Sequence, residues 1–354
     1  MSRIFLIACF LSCNTCVLAQ SALDSLLKVL SAQKGRERVL TLGNIAWELG
    51  MVDPTKAIPY GDEALRIAES LGDSAVIAQA ANDAAIGEYR VGHMQRALEL
   101  NSRALRIRTA LGDEEGMAAS HNKLAIVYTD QMKFDPALEH NYAAADIYER
   151  LGQATRLAQV RGNIGHLYQQ MGDLDRAQDV LEKTIKEFSP SDSGYAVATL
   201  YGQLFQVLDE RDDVDAAMAV GQQVLIYFER LGAGNEVASV TNELGRLYRK
   251  KGDTETGLRY YRKALEIARS TGDLTGQATY VMNVANVLAQ TGHAREALPL
   301  FEESIRLCRS EGYADQGMSA LSGYSDALES LGELKAALEV RKELQQLRAT
   351  QRKE

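Results

Sequence analysis

Leu244-Gly245-Arg246-Leu247-Tyr248, followed by Gly252-Asp253, Gly257, Tyr261, Ala264-Leu265, Ile267 and Gly272-Asp273, is the clearest copy of a unit that recurs along most of the chain. Gly272 has counterparts at Gly72, Gly112, Gly152, Gly232 and Gly312, spaced by forty residues or a multiple of forty. A second series, Gly92, Gly172, Gly252, Gly292 and Gly332, runs midway between them with the same period. A repeat this regular sets the architecture before any other feature is weighed.

Both halves of a period are helical. Leu244, Leu247 and Tyr248 stand at helical spacing in the first half, and Tyr261, Ala264, Leu265 and Ala268 in the second. Each half is roughly seventeen residues, about 25 Å of helix. A glycine just past a helix closes it in the left-handed conformation. The Asp that follows (Asp73, Asp113, Asp173, Asp253, Asp273) accepts from the free N–H groups of the next helix. The unit is therefore a helical hairpin.

One register of the second helix is always small: Ala57, Ala97, Ala137, Ala177, Ala217, Gly257, Ala297 and Ala337. Two helix axes approach closely there. Two apolar registers, one through Leu65, Leu105, Leu225, Leu265 and Ile305 and one through Ile67, Ile107, Ile147, Tyr227, Ile267, Leu307 and Leu347, are expected to form the seam between hairpins.

The pattern Leu-Gly-x-x-Tyr, then Gly, a small residue, an aromatic and Ala-Leu, resembles the tetratricopeptide repeat. Gly165, Tyr168, Gly172 and Ala177 repeat it, as do Ala125, Tyr128, Ala137 and Ala144. The usual period of that family is about thirty-four residues, and forty resembles its longer-helix variety. The HEAT repeat shares the length, but its typical proline and Asp/Arg placements are missing. The resemblance implies an all-α fold, a right-handed α-solenoid of about eight antiparallel helical hairpins.

The expected organisation is a signal peptide over 1–19, a leading helix or N-terminal cap over 20–35, a solenoid over 36–350 and a charged tail over 351–354. The repeats fall at about 36–72, 73–112, 113–152, 153–192, 193–232, 233–272, 273–312 and 313–350. Arg3, the apolar run Ile4 to Leu11 and the small Ala19 have the form of a bacterial secretory signal. That run is too short to span a bilayer, and no later stretch is long and apolar enough. The expected destination is the periplasm or the exterior. Phe10-Leu11-Ser12-Cys13 resembles a loose lipobox, so the alternative is a lipid anchor at Cys13. Loss of Arg3 with the signal takes the formal charge from −9 to −10. An acidic chain is poorly suited to nucleic acid, whose phosphates call for a basic patch.

Cys9, Cys13 and Cys16 lie in the signal and Cys308 stands alone at an apolar register, so no disulfide framework is expected. The five prolines are expected to avoid helix interiors. The fourth connection carries Phe188-Ser189-Pro190-Ser191-Asp192-Ser193-Gly194 in place of Leu-Gly, either a drifted turn or a hinge. Arg341 to Arg348 and the charged tail are expected to give the last helix the polar outer face of a solenoid cap.

No catalytic motif is present. The five histidines (His93, His121, His140, His166, His293) are scattered, without His-x-x-x-His spacing on one helix face, and no metal or cofactor is expected. A binding face is easier to place. The resemblance implies that the first helices line a concave groove. Positions spaced three and four apart share one side of a helix. One such register reads Asn82, Asn122, Gly162, Gly202, Asn242, Met282. The next reads Ile86, Ile126, His166, Gln206, Arg246, Asn286, Asp326, with Asn163 and Asn283 a residue away from the first.

Asparagine donates and accepts, so a ladder of it suits the backbone of an extended peptide. The alternative use of the same amides is to bond the neighbouring helix. The peptide-binding candidates are thus Asn82, Asn122, Asn163, His166, Asn242, Arg246, Arg249, Asn283 and Asn286. The basic stretch Arg246, Arg249, Lys250, Lys251 offers a place for a carboxylate or acidic peptide. These features point to an exported, non-enzymatic scaffold with a protein or peptide partner. The alternative is an extracytoplasmic sensory or regulatory module acting through a separate partner.

Overall fold

The computed structural model describes residues 23–187 and 194–351. The stretch expected to be a signal peptide, with Cys13 as the alternative lipid anchor, residues 188–193 of the altered connection and the last three residues of the tail lie outside them. Among the described residues every regular element is a helix. A leading helix, α1 (23–30), precedes eight hairpins. These pair α2 (Gly35–Val52) with α3 (Pro54–Leu71), α4 (Ser74–Arg90) with α5 (Met94–Leu111), α6 (Glu114–Asp130) with α7 (Phe134–Arg150), and α8 (Ala154–Gln170) with α9 (Leu174–Lys186). They continue with α10 (Tyr195–Glu210) and α11 (Val214–Leu231), α12 (Gly234–Lys250) and α13 (Thr254–Thr271), α14 (Leu274–Gln290) and α15 (Ala294–Glu311), and α16 (Ala314–Ser330) and α17 (Leu334–Gln351). The chain divides into two compact units, one ending at Glu187 and the other beginning at Phe188. Within each, helices pack on their chain neighbours, as in an α-solenoid.

The turns carry the expected chemistry. Gly72, Gly112, Gly232, Gly272 and Gly312 close their helices at φ between 66 and 75°, and Asp73, Asp113, Asp173, Asp253 and Asp273 each accept from a backbone N–H of the helix that follows. Among the described turns, the one between α2 and α3 has no glycine and keeps Asp53 at negative φ. Two others also lack it, and there Met132 (φ 55°) and Asp212 (φ 64°) take the left-handed conformation, which L side chains enter with strain.

The small register is buried throughout, and its one glycine, Gly257, lies where α13 meets α12. A Cβ on Gly257 would stand 2.8 Å from the Gly245 carbonyl oxygen, so two backbones meet there. The first apolar seam register is buried at Leu65, Leu225, Leu265 and Ile305, whereas Ile67, Ile107, Ile267 and Leu307 of the second are only half-buried. A more fully buried seam runs through Ala64, Ala104, Ala144, Ala264 and Ser304. Cys308 is a buried core residue.

One expectation is corrected and another qualified. Pro59 and Pro299 lie inside α3 and α15. Each stands in the second turn, where a proline removes one i→i−4 bond that tertiary packing must offset. The outer face of the last helix is mostly polar, through Arg341, Lys342, Gln345, Gln346 and Arg348, but its first two turns also expose Leu334 and Leu338, at 64% and 54%. They occupy the register of Ala294 and Leu298, which in α15 meets the following hairpin.

Candidate functional site

The face of the first helices is built by helical spacing. In α4, Gln79, Asp83, Ile86 and Arg90 stand on the side not buried against α5, and their forty-residue counterparts do so in α6 and α8. The first repeat is one residue short of this period. Gly43 faces Asp83, Gly50 faces Ile86, and Arg90 Nη2 lies 3.3 Å from Met51 Sδ. This slip of one places Leu40, Trp47 and Met51 on the same side of α2, each about half exposed. In the first unit the face therefore carries an apolar row, Trp47, Ile86 and Ile126, ending at His166.

The asparagines sit beside that row and mostly serve the joints between repeats. Asn163 Nδ2 donates to Asn122 Oδ1 at 3.0 Å, and in the second unit Asn283 Nδ2 donates to Asn242 Oδ1 at 2.7 Å. Asn82 exchanges hydrogen bonds with Ser120 at 3.1 and 3.4 Å and is fully buried. Asn242 is buried too and also donates to Glu243. The expected groove role is corrected for these two, because a buried amide bonded across a joint is not presented to a ligand. Asn122, Asn163, Asn283 and Asn286 stay half-buried, and each bridging amide retains further donor and acceptor positions. His166 faces the Gln170 amide at 3.0 Å.

The same face of the first unit carries a polar network that reaches inward to the buried Arg108. Gln79 donates to both oxygens of Asp83 and accepts from Arg108, which also donates to Gly116 O and Ser120 Oγ. Lys123 Nζ donates to the Asn82 carbonyl at 3.2 Å. Burial raises the Asp83 carboxyl above its ordinary range, against the pull of Lys123, the Gln79 amide and Arg108. Burial likewise lowers the Lys123 ammonium, against Asp83. The two charges stand in adjacent first helices at one register.

The basic stretch of the second unit is spent internally, which corrects the expectation that it receives a carboxylate. Arg246 pairs with Glu243 at 2.7 Å and with Asp209 at 2.5 Å. Burial depresses its guanidinium, but the two carboxylates outweigh that and hold it above the usual range. Lys250 pairs with Asp212, Lys251 with Asp215, and Arg249 donates to Gln290. Asp209, Asp212 and Asp215 all come from the preceding repeat, so the run ties hairpins together. Near the end of the described chain, a shallow cleft of about 550 Å³ is lined by Asn286, Asp315, Ser319, Asp326 and Arg348, among others.

The histidines are less scattered than their spacing suggests. His121 of α6 and His140 of α7 bring their Nδ1 atoms to 2.8 Å, and Tyr128 stacks on His140. The signal in the sequence is the hairpin register, which sets position 121 opposite 140. Among the described residues no group of three or more His, Cys, Asp or Glu is placed to hold a metal ion, and no helix is long and apolar enough to cross a membrane.

Comparison with known proteins agrees with this geometry. The tetratricopeptide repeat family model matches residues 116–186 and 236–310. No curated protein matches the chain. Among solved structures, a signal transduction ATPase with a tetratricopeptide repeat sensor from Pyrococcus horikoshii is similar at 17% identity and TM-score 0.61, over 87% of this chain and 45% of that one. The apo form of RapI is similar at 15% identity and TM-score 0.54, over 77% and 99% of the two chains. A Rap protein complexed with Competence and Sporulation Factor is similar at 15% identity and TM-score 0.53, over 94% and 98%. The fold is thus an all-α, tetratricopeptide-like solenoid.

Proposed function

We propose that this chain is an exported, non-enzymatic scaffold that holds a peptide or protein segment against the exposed face of its first helices. The observation that carries the reading is the row Trp47, Ile86, Ile126, His166, flanked by half-buried amides at Asn122 and Asn163. Exposed large apolar side chains aligned beside polar groups mark an interaction surface. The apolar row supplies burial, while the amides keep donors and acceptors for a ligand backbone. The complexed Rap protein, similar in fold, supports the reading.

In the second unit Asn283 and Asn286 are the residues we assign to the same role. Export rests on the Arg3 to Ala19 segment, with lipidation at Cys13 as the alternative route. A second reading, a sensory or regulatory module acting through a separate partner, draws on the likeness to the sensor-bearing ATPase.

The test is charge insertion. A partner recovered from the exported fraction of the native host is expected to be lost from Ile86→Glu and Ile126→Glu, and retained by Lys183→Glu on a second helix. Equal recovery by all three variants overturns the assignment of the face.

A further inference from the structure

The apolar row is densest on α2, the helix beside which the chain enters the fold. Leu40, Trp47 and Met51 share one side of α2 by helical spacing, and each is about half exposed. Together they leave on the order of 300 Å² of apolar surface open, the size of the largest patch on an ordinary monomer. The interior helices are more polar at these positions, with Gln79, Ile86 and Arg90 in α4 and Ala119, Ile126 and Asp130 in α6.

α1 runs antiparallel to α2. At its start Leu23 packs in one cluster with Ile45, Ala46, Leu49 and Ala57. At its other end the Leu30 carbonyl accepts from Arg38 Nη1, near the start of α2, at 2.8 Å. The chain before Leu23 therefore meets the fold beside the C-terminal half of α2, the half that carries Trp47 and Met51. That chain holds the apolar run Ile4-Phe5-Leu6-Ile7-Ala8-Cys9-Phe10-Leu11, joined to α1 by residues 12–22. A connection of that length reaches at most about 36–40 Å. The 18 residues of α2 span about 27 Å, so the run can reach any point of the row on it.

We propose that in the unprocessed chain the run Ile4 to Leu11 occupies the face of Leu40, Trp47 and Met51, and that its removal opens this face to the partner. The inference rests on the binding face proposed above and adds its regulation. The run carries no charged side chain, and burial of apolar surface against apolar surface needs no directional partner. A segment held by so short a connection acts at an effective concentration on the order of millimolar, so it competes with a partner free in solution. Cleavage after Ala19 and cleavage before Cys13 both take the run away, so either processing route opens the face.

The experiment compares the full chain, with its N-terminal run retained, with the chain that begins at Gln20, no partner being present. The probe is Trp47, the single tryptophan. In the full chain its emission is expected at shorter wavelength and less quenched by acrylamide. Ile7→Glu with Phe10→Glu should return both readings to those of the shorter chain, and dilution should leave the difference unchanged. Cys9 lies within the run and gives a second readout. In a full chain carrying Cys13→Ser, Cys16→Ser and Met51→Cys, oxidation should join positions 9 and 51 within one molecule, as a band of altered mobility lost on reduction. Identical Trp47 emission in the two chains overturns the proposal. A shift that vanishes on dilution, or a disulfide formed only between molecules, overturns it by placing the run on a second copy. The capture experiment above uses the exported chain, so the two readings fail in different molecules.

Discussion

Asn283 donates its side-chain amide to Asn242 Oδ1 at 2.7 Å, from one repeat to the residue forty-one positions earlier in the next first helix along. Asn163 and Asn122 make the same bond in the other unit at 3.0 Å. Because Asn242 is buried, its amide is bound into the fold. Asn242→Ala is expected to leave the Asn283 donor unsatisfied and to cost about 1–3 kcal/mol. Asn286→Ala, half-exposed on the same face, should leave the urea midpoint nearly unchanged. Equal effects of the two changes would refute this division of roles.

The hairpins were legible because their signals are local. A left-handed glycine and an Asp cap are chosen by two residues and need no knowledge of distant packing. The partners of side chains were not legible in the same way. Whether Asn242 meets solvent or Asn283 depends on the rotation of one helix against the next. A slip of one residue in the first repeat hid Trp47 from the forty-residue register. The basic stretch at Arg246 reads as a free patch until Asp209, Asp212 and Asp215 are brought beside it by the preceding hairpin.

Met132 holds a left-handed turn where Gly92, Gly172, Gly252, Gly292 and Gly332 stand in other repeats, and it is 73% exposed. Met132→Gly removes strain of roughly 1–2 kcal/mol without removing a buried contact. The greater freedom of glycine in the unfolded chain takes back about 0.4–1 kcal/mol. The net expectation is a modest rise in melting temperature, and a fall would show that the turn is unstrained.

Two glycines inside helices should respond with opposite signs. Gly257→Ala drives a Cβ against the Gly245 carbonyl, a backbone group that cannot turn away, and is expected to destabilise. Gly202 has open space where a Cβ would stand, so Gly202→Ala should stabilise by roughly 0.5–1 kcal/mol through helix propensity. Thermal melts of the two variants check both signs.

Lys123→Met removes one of the two cations, with Arg108, that act on Asp83 in the polar network. The carboxyl of Asp83 is already raised by burial, and without Lys123 it rises further. A folded-state pKa above the unfolded value means that the folded state takes up the proton first. The cost of burying the charge is therefore present at high pH and relieved as pH falls through that raised value. Lys123→Met should destabilise more at pH 8 than at pH 5, by about 1–3 kcal/mol at the higher pH, the scale of an uncompensated buried group. Urea unfolding at the two pH values reads this directly, and a cost independent of pH contradicts it.

The export reading predicts cleavage between Ala19 and Gln20. Intact-mass analysis of the exported protein should show a chain beginning at Gln20. A diacylglyceryl-modified chain beginning at Cys13 would favour the lipid anchor instead.

The central claim, that a partner lies on the first helices, is tested most directly by a photo-crosslinking residue placed at Ile126 and, separately, at Lys183 in the native host. The account predicts a discrete adduct from position 126 and none from position 183. It also predicts a change in the fluorescence of Trp47, the chain's single tryptophan, when the captured partner is added back. Adducts from position 183 alone, with Trp47 emission unmoved by the partner, would contradict it.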